Sequence, residues 1–297
     1  MKVLVGDVGG TFTRLALFDG AVERPEVFPT DPSLPPEELI DAFLAARGER
    51  VESAVLGVAA AVRDSRCVES TNLPWPVDAQ RIARAARIER ALLVNDVEAC
   101  AHGIALLESG ALATLNAGDA RARGNRVVIS LGTGLGQAGL YWDGERHHAF
   151  ASEGGYADFA PRNELEAGLR AWLATLYDHV SYERACSGSA LGDIHRYLTG
   201  EVALPEEISG RALGVMLSIL GTFAGNAALN FLATGGVYLA GGVPRRVLPE
   251  LEAGGFLRAF VDKGLLRGVL ERIPVHVILD ERVTLLGAGV LARRQPN

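Results

Sequence analysis

Residues 6–20 read GDVGGTFTRLALFDG, and residues 131–144 read LGTGLGQAGLYWDG. Each passage sets a glycine turn carrying one threonine between two apolar runs, and each ends its second run in Asp-Gly: Asp19–Gly20, then Asp143–Gly144. Short runs of branched apolar residues read as strands, and Asp-Gly after a strand signals a hairpin because its turn needs positive φ. Strand, glycine turn, strand and hairpin therefore occur twice, about 124 residues apart, which predicts two structurally similar α/β halves.

Outward from these passages, strands are expected at 2–6, 14–18, 26–28, 51–58 and 91–94, and again at 126–130, 138–142, 237–240 and 274–279. Helices are expected at 35–47, at 78–87, from 96 onward, and at 163–177, 189–198, 209–231 and 284–293. Asn163 and Glu166 have capping-box spacing, and Gly221 and Gly225 allow a neighbour to pack closely on the long apolar helix. A lobe boundary is expected near 102–110, followed by a polar loop at 116–125. Asp280 and Glu281 read as the cap of the last helix.

A chain of 297 residues, 48% of them hydrophobic, can build the cores of two ordinary domains. Cys67, Cys100 and Cys186 are odd in number and far apart, which argues against a disulfide framework or zinc knuckle and for a reducing, cytoplasmic setting. The N-terminus opens as a strand, and the apolar runs are short and broken by glycine, so neither export nor membrane spanning is expected. A formal charge of −7 with mixed signs offers no basic stripe for nucleic acid.

Chemistry is expected at the glycine turns. Gly9, Gly10 and Thr11 can turn backbone N–H groups and a hydroxyl toward phosphate, and Asp7 can hold magnesium through water. Gly132, Thr133 and Gly134 offer the same chemistry in the second passage, and two such turns could clamp one phosphate chain. Asp96 follows the strand at 91–94, where it either caps the next helix or serves as a base at the carboxyl end of a sheet. Phosphoryl transfer asks only that such a carboxylate orient a hydroxyl and accept its proton late. Glu153 in SEGGY, and Glu183, could each accept hydrogen bonds from sugar hydroxyls; taken singly, either reads more readily as a solvated surface acid. Gly241 and Gly242 end a strand with no side chain to obstruct a planar base, and His147 and His148 read as exposed loop residues.

Together these segments resemble the bacterial glucokinase family, in the ATP-dependent, non-zinc branch of the hexokinase and actin superfamily. The matching stretches are GDVGGT at 6–11, NDVEA at 95–99, LGTGLG at 131–136, EGGYADFAP at 153–161, SYER at 181–184, CSG at 186–188 and AGGV at 240–243. The resemblance implies two ribonuclease-H-like lobes, 1–106 plus 281–297 and 107–280, with an active-site cleft between them that closes on glucose and Mg-ATP. By matched position it implies Asn95, Asp96, Glu153 and Glu183 as sugar ligands with Asp96 as the base. Thr11 and Thr133 would lie at phosphates and Gly241 near the nucleoside. A homodimer is also implied.

Two positions depart from the family. Phe12 stands where asparagine is usual, and Tyr156 stands where a sugar-contacting histidine is usual. Either departure alters hydrogen-bonding capacity at the site, so a kinase for another hexose or amino sugar, or a weakly active sugar sensor, stands beside glucokinase. The cysteine-rich zinc motif of the related repressor branch is absent, which disfavours a DNA-binding regulator.

Overall fold

Every position of VLVGDV except Gly6 and Asp7 is a branched apolar residue, the composition of a strand covered on both faces. In the computed structural model, which describes residues 2–69, 73–108, 110–119 and 121–294, this run is β1 (Val3–Val8). It is the middle strand of a five-stranded sheet. β2 (Phe12–Phe18) and β3 (Glu26–Pro29) continue it as an antiparallel meander. Helix α1 (Pro36–Arg47) starts with a proline in its first turn and Glu37 and Glu38 beside its positive end, and stops at Gly48, φ 63°. Parallel β4 (Ser53–Val58) returns beside β1. A separate hairpin follows, β5 (Ala61–Arg63) and β6 (Arg66–Glu69), then α2 (Ala79–Ala86), capped by the Asp78 carboxylate. Parallel β7 (Arg90–Asn95) leads directly into α3 (Asp96–Gly103).

The chain divides into two compact units, Met1–Ser109 with Asp280–Asn297, and Gly110–Leu279. The second is built on β8 (Leu112–Asn116), β9 (Arg126–Leu131), β10 (Leu135–Trp142) and β11 (His147–Ser152). Helices α4 (Glu164–Leu173), α5 (Tyr182–Ala185), α6 (Ala190–Thr199) and α7 (Gly210–Asn230) follow. The unit ends with β12 (Val237–Ala240), α8 (Gly242–Arg246), α9 (Leu248–Glu252), α10 (Gly255–Val261), α11 (Arg267–Leu270) and β13 (Val275–Ile278). Its strand order, β11-β10-β9-β12-β13-β8, repeats the order β3-β2-β1-β4-β7 and adds β8 at the far edge. Both sheets therefore join a three-strand meander to two parallel strands, and the fold is α/β with mixed sheets, consistent with the actin-like ATPase fold.

Helix α7 is long and apolar enough to cross a membrane, yet 72% of its most apolar window is buried as the core helix of the second unit. Gly221 and Gly225 face α10, as their spacing suggests: a Cβ on Gly221 would run into the Phe256 carbonyl, and one on Gly225 would lie 2.5 Å from the Phe260 carbonyl. The last helix, α12 (Val283–Arg294), packs in the first unit, where Leu285 and Ala288 join Val3, Val5, Ala16, Phe18 and Val55. At its entry, Asp280 accepts from the Arg282 N–H at 2.8 Å.

Several boundaries differ from expectation. Asp7 and Val8 belong to β1, and β10 begins at Leu135, so each glycine turn is only three residues long. Helix α4 ends at Leu173 and a turn follows it. His147 and His148 are strand residues, each half-buried. His147 Nε2 lies 3.0 Å from the Gly124 carbonyl, and His148 Nε2 lies 2.6 Å from Asp143.

Candidate active site

In the first unit β1, β4 and β7 run parallel and finish together, with Val8 beside Val58 and Val58 beside Asn95. The first glycine turn and Asp96 consequently leave the same sheet edge, two strand spacings or roughly 10 Å apart. Ligands of open α/β sheets bind at such carboxyl ends. Gly9 donates to the Phe12 carbonyl at 3.0 Å, and a Cβ on Gly9 would crowd that same oxygen. Thr30 ties the turn down: its hydroxyl donates to the Gly9 carbonyl at 2.7 Å and its N–H to the Thr11 carbonyl at 2.9 Å. Gly10 and Thr11 are left on the exposed side. Asp7 faces Arg14 across the β1–β2 pair at 3.3 Å; burial pushes its carboxyl up and the guanidinium pulls the other way.

The cap of α3 is Asn95. Its Oδ1 accepts from the N–H groups of Val97 at 3.0 Å and Glu98 at 3.1 Å, while its Nδ2 donates to the Ala60 carbonyl at 3.2 Å. Asp96 stands in the first turn of the helix, half-buried, and accepts from the Val97 N–H at 2.9 Å. Gly57 on β4 makes room for it, since a Cβ there would lie 3.2 Å from the Asp96 Cα. Glu98, beside it, has its carboxyl pushed up by burial.

In the second unit β9 and β12 are parallel neighbours, with Ser130 beside Ala240, so residues 132–134 and Gly241–Gly242 leave one sheet edge side by side. Gly241 has φ 97°, and its missing Cβ makes room for the Leu131 carbonyl. At Gly132 and Gly242 a Cβ would meet only open space, and there backbone is presented without a side chain in front of it. The turn is held from behind: Gly188 donates to the Gly132 carbonyl at 2.8 Å, and the Ser189 hydroxyl to the Thr133 carbonyl at 2.9 Å.

Gly154–Tyr156 form a single 3₁₀ turn. A Cβ on Gly155 would strike the Leu135 carbonyl, and one on Gly154 would strike the Gln137 side chain, so the glycine pair seats this turn directly on the start of β10. Glu183 reaches the same place from α5, whose cap is Ser181, and accepts from the Leu135 N–H at 2.9 Å. Glu153 and Glu183 are thus gathered over one strand end. The Glu153 carboxyl is held above its ordinary range by burial, and further by the charge of Glu183. Tyr156 is 41% exposed, and Phe12, the first residue of β2, is 43% exposed.

Four supporting groups escaped the sequence: Thr30 and Ser189 behind the glycine turns, and His179 and Asp158 around Tyr156. The CSG stretch at 186–188 was one available signal, because a short glycine turn must have its carbonyls satisfied from elsewhere in the chain.

A family model described as Glucokinase matches residues 4–295. A glucokinase of Psychromonas ingrahamii is 36% identical, with 98% of this chain and 97% of that protein covered. A glucokinase of Nostoc sp. is 33% identical over 98% of this chain and 99% of that protein. The crystal structure of a glucokinase from an Antarctic psychrotroph superposes with a TM-score of 0.80 at 26% identity, covering 99% of each chain.

Proposed function

The chain belongs to the glucokinase family, and from that premise we propose that it transfers the γ-phosphoryl group of ATP to the 6-hydroxyl of glucose, with Asp96 as the base. The observation that carries the assignment of roles is the grouping of the expected residues at sheet ends. Asp96 and the first glycine turn share one edge, and the second turn and Gly241–Gly242 share another. Glu153 and Glu183 accept hydrogen bonds from hydroxyls of the sugar, and Asn95 contributes a further polar contact. Asp96 orients the reacting hydroxyl and takes its proton as the bond to phosphorus forms. Gly9, Gly10 and Thr11, with Gly132, Thr133 and Gly134, hold the phosphates through backbone N–H groups and hydroxyls. Gly241 and Gly242 leave room for the base.

Asp7 fits a magnesium ion bound through water. It is a single carboxylate at the phosphate end of β1, and among the described residues no three His, Cys, Asp or Glu side chains gather as a direct metal site. Magnesium would neutralise charge on the phosphate oxygens. The cytoplasm is the proposed setting, supported by cysteines that form no disulfide among the described residues, and a homodimer is the proposed assembly.

The test is glucose-dependent ADP release by the purified protein with Mg-ATP, compared with Asp96→Ala. We expect turnover to fall by roughly 10²- to 10⁴-fold while glucose binding persists; a variant that kept its rate would sink the base assignment. Tyr156, exposed three residues after Glu153, favours a second reading, a kinase for another hexose or amino sugar. Faster ADP release with mannose, fructose, galactose or glucosamine than with glucose would select it.

A further inference from the structure

His179 lies between α4 and α5, with its ring packed on Tyr156, centroids 5.6 Å apart and planes inclined at 41°. Its Nε2 lies 2.9 Å from Asp158 Oδ1. An ionised carboxylate only accepts, so Nε2 carries the proton, and in the neutral ring Nδ1 is left as an acceptor. The backbone fixes this arrangement. Residues 157–159 run antiparallel to 180–182, with Phe159 donating to the Val180 carbonyl at 3.0 Å and Tyr182 to the Ala157 carbonyl at 2.9 Å. That short ladder sets His179 against the turn that follows Glu153, in the segment that leads into Glu183.

We propose that His179, oriented by Asp158, is a sugar-binding residue whose Nδ1 accepts a hydrogen bond from a hydroxyl of the hexose held by Glu153 and Glu183. The inference rests on the hexose kinase assignment above. A polyol has a hydrogen bond to donate at every hydroxyl, and an acceptor on His179, whose ring packs on the turn that follows Glu153, suits such a ligand. His179 also places an imidazole beside position 156, where this chain carries tyrosine.

The test uses the full chain and the two amide replacements, which separate the ring nitrogens. His179→Asn keeps an acceptor near Nδ1 and gives up the Nε2 contact with Asp158, whereas His179→Gln does the reverse. Losing one neutral hydrogen bond to a sugar hydroxyl should raise the KM for glucose about tenfold. We expect that rise in His179→Ala and His179→Gln, rescue to within about threefold in His179→Asn, and a smaller change in kcat than in KM throughout. The KM for ATP and the melting temperature report general damage. Calorimetric titration of glucose without ATP gives the same comparison from affinity alone. Rescue by Gln but not Asn would reduce His179 to a brace for Asp158, and unchanged glucose affinity in His179→Ala would overturn the contact. A parent chain that bound glucose but released no sugar-dependent ADP would instead overturn the kinase assignment.

Discussion

Asn95 and Asp96 are adjacent, yet the physics of a helix start gives them separable duties. Asn95 satisfies two N–H groups of α3 and one carbonyl of the preceding segment; its loss leaves buried groups unpaired. Asn95→Ala should therefore cost roughly 1–2 kcal/mol of stability along with activity. Asp96→Ala, which keeps that cap, should lose turnover while melting within a few degrees of the parent. Thermal melts and rates on both variants separate the duties, and equal melting losses would merge them. Glu153 carries a different tension. Its folded-state pKa is raised, first by burial and then by Glu183, so over that window the native state holds more protons than the unfolded chain. Stability consequently falls as pH rises through the window, and the penalty is fully present above it. Glu153→Gln should melt higher than the parent near pH 7 and match it near pH 4, while its glucose KM rises at least about tenfold. Equal melting near pH 7 would remove the idea that the site keeps an unfavourable charge for sugar binding.

Between elements, the glycines of α7 give the sharpest contrast. A Cβ on Gly221 would press on the Phe256 carbonyl, with the Ala259 Cβ 3.0 Å away, and a backbone oxygen cannot rotate aside as a flexible side chain can. Gly221→Ala should cost about 1–3 kcal/mol by forcing α10 outward. Gly214 lies on the exposed face of the same helix with open space around it, so Gly214→Ala should gain about 0.5–1 kcal/mol from helix propensity alone. Urea unfolding of the two variants decides this, and a shift of the same sign in both would show that packing against α10 is not what Gly221 provides. The Gly221–Gly225 spacing was legible because four residues apart means one helix face. Other elements were not. The β5–β6 hairpin turns on Asp64 and Ser65, at φ 51° and 56°, without the glycine that signals such a turn. Strand β8 is an edge strand that pairs with β13 across a register shift, and only Ala113 and Leu115 of its LATLN pack, half-buried, on the core. In β11, HHAFAS hides its period because Phe150 is exposed and lies over Gly139 of β10. Strand ends and glycine turns, which place the candidate site, are local patterns. Their braces are contacts across long sequence separations, such as Ser189 on Thr133 and His179 on Tyr156, and no local spacing encodes those.

At the scale of the whole chain, the two sheets share one strand order, but the chain finishes the first unit only after building the second. The finishing piece is α12. Leu285 and Ala288 cover Val3, Val5, Ala16 and Val55 on one face of the first sheet. Gly287 and Gly103 let α12 and α3 approach to backbone contact, since a Cβ on either would run into the opposing helix's backbone. The other face has its own cover from α1 and α2, through Ile40, Phe43 and Ile82. A chain ending at residue 282 would thus uncover Val3, Val5, Ala16 and Val55 and leave α3 without its partner on that face of the first sheet, while removing nothing from the core of the second unit, which is closed by residues 110–279. Burial of apolar surface is the main stabilising term of such a layer, and hydrogen exchange reads its loss locally. We expect β1 and β4 to lose amide protection in the truncated chain while β9, β12 and α7 keep theirs, with turnover lost because Asp96 stands at the end of the affected sheet. Loss of protection spread evenly over both units would mean that they fold as one cooperative block, and the late return of α12 would then be a matter of topology without a separate unit to complete.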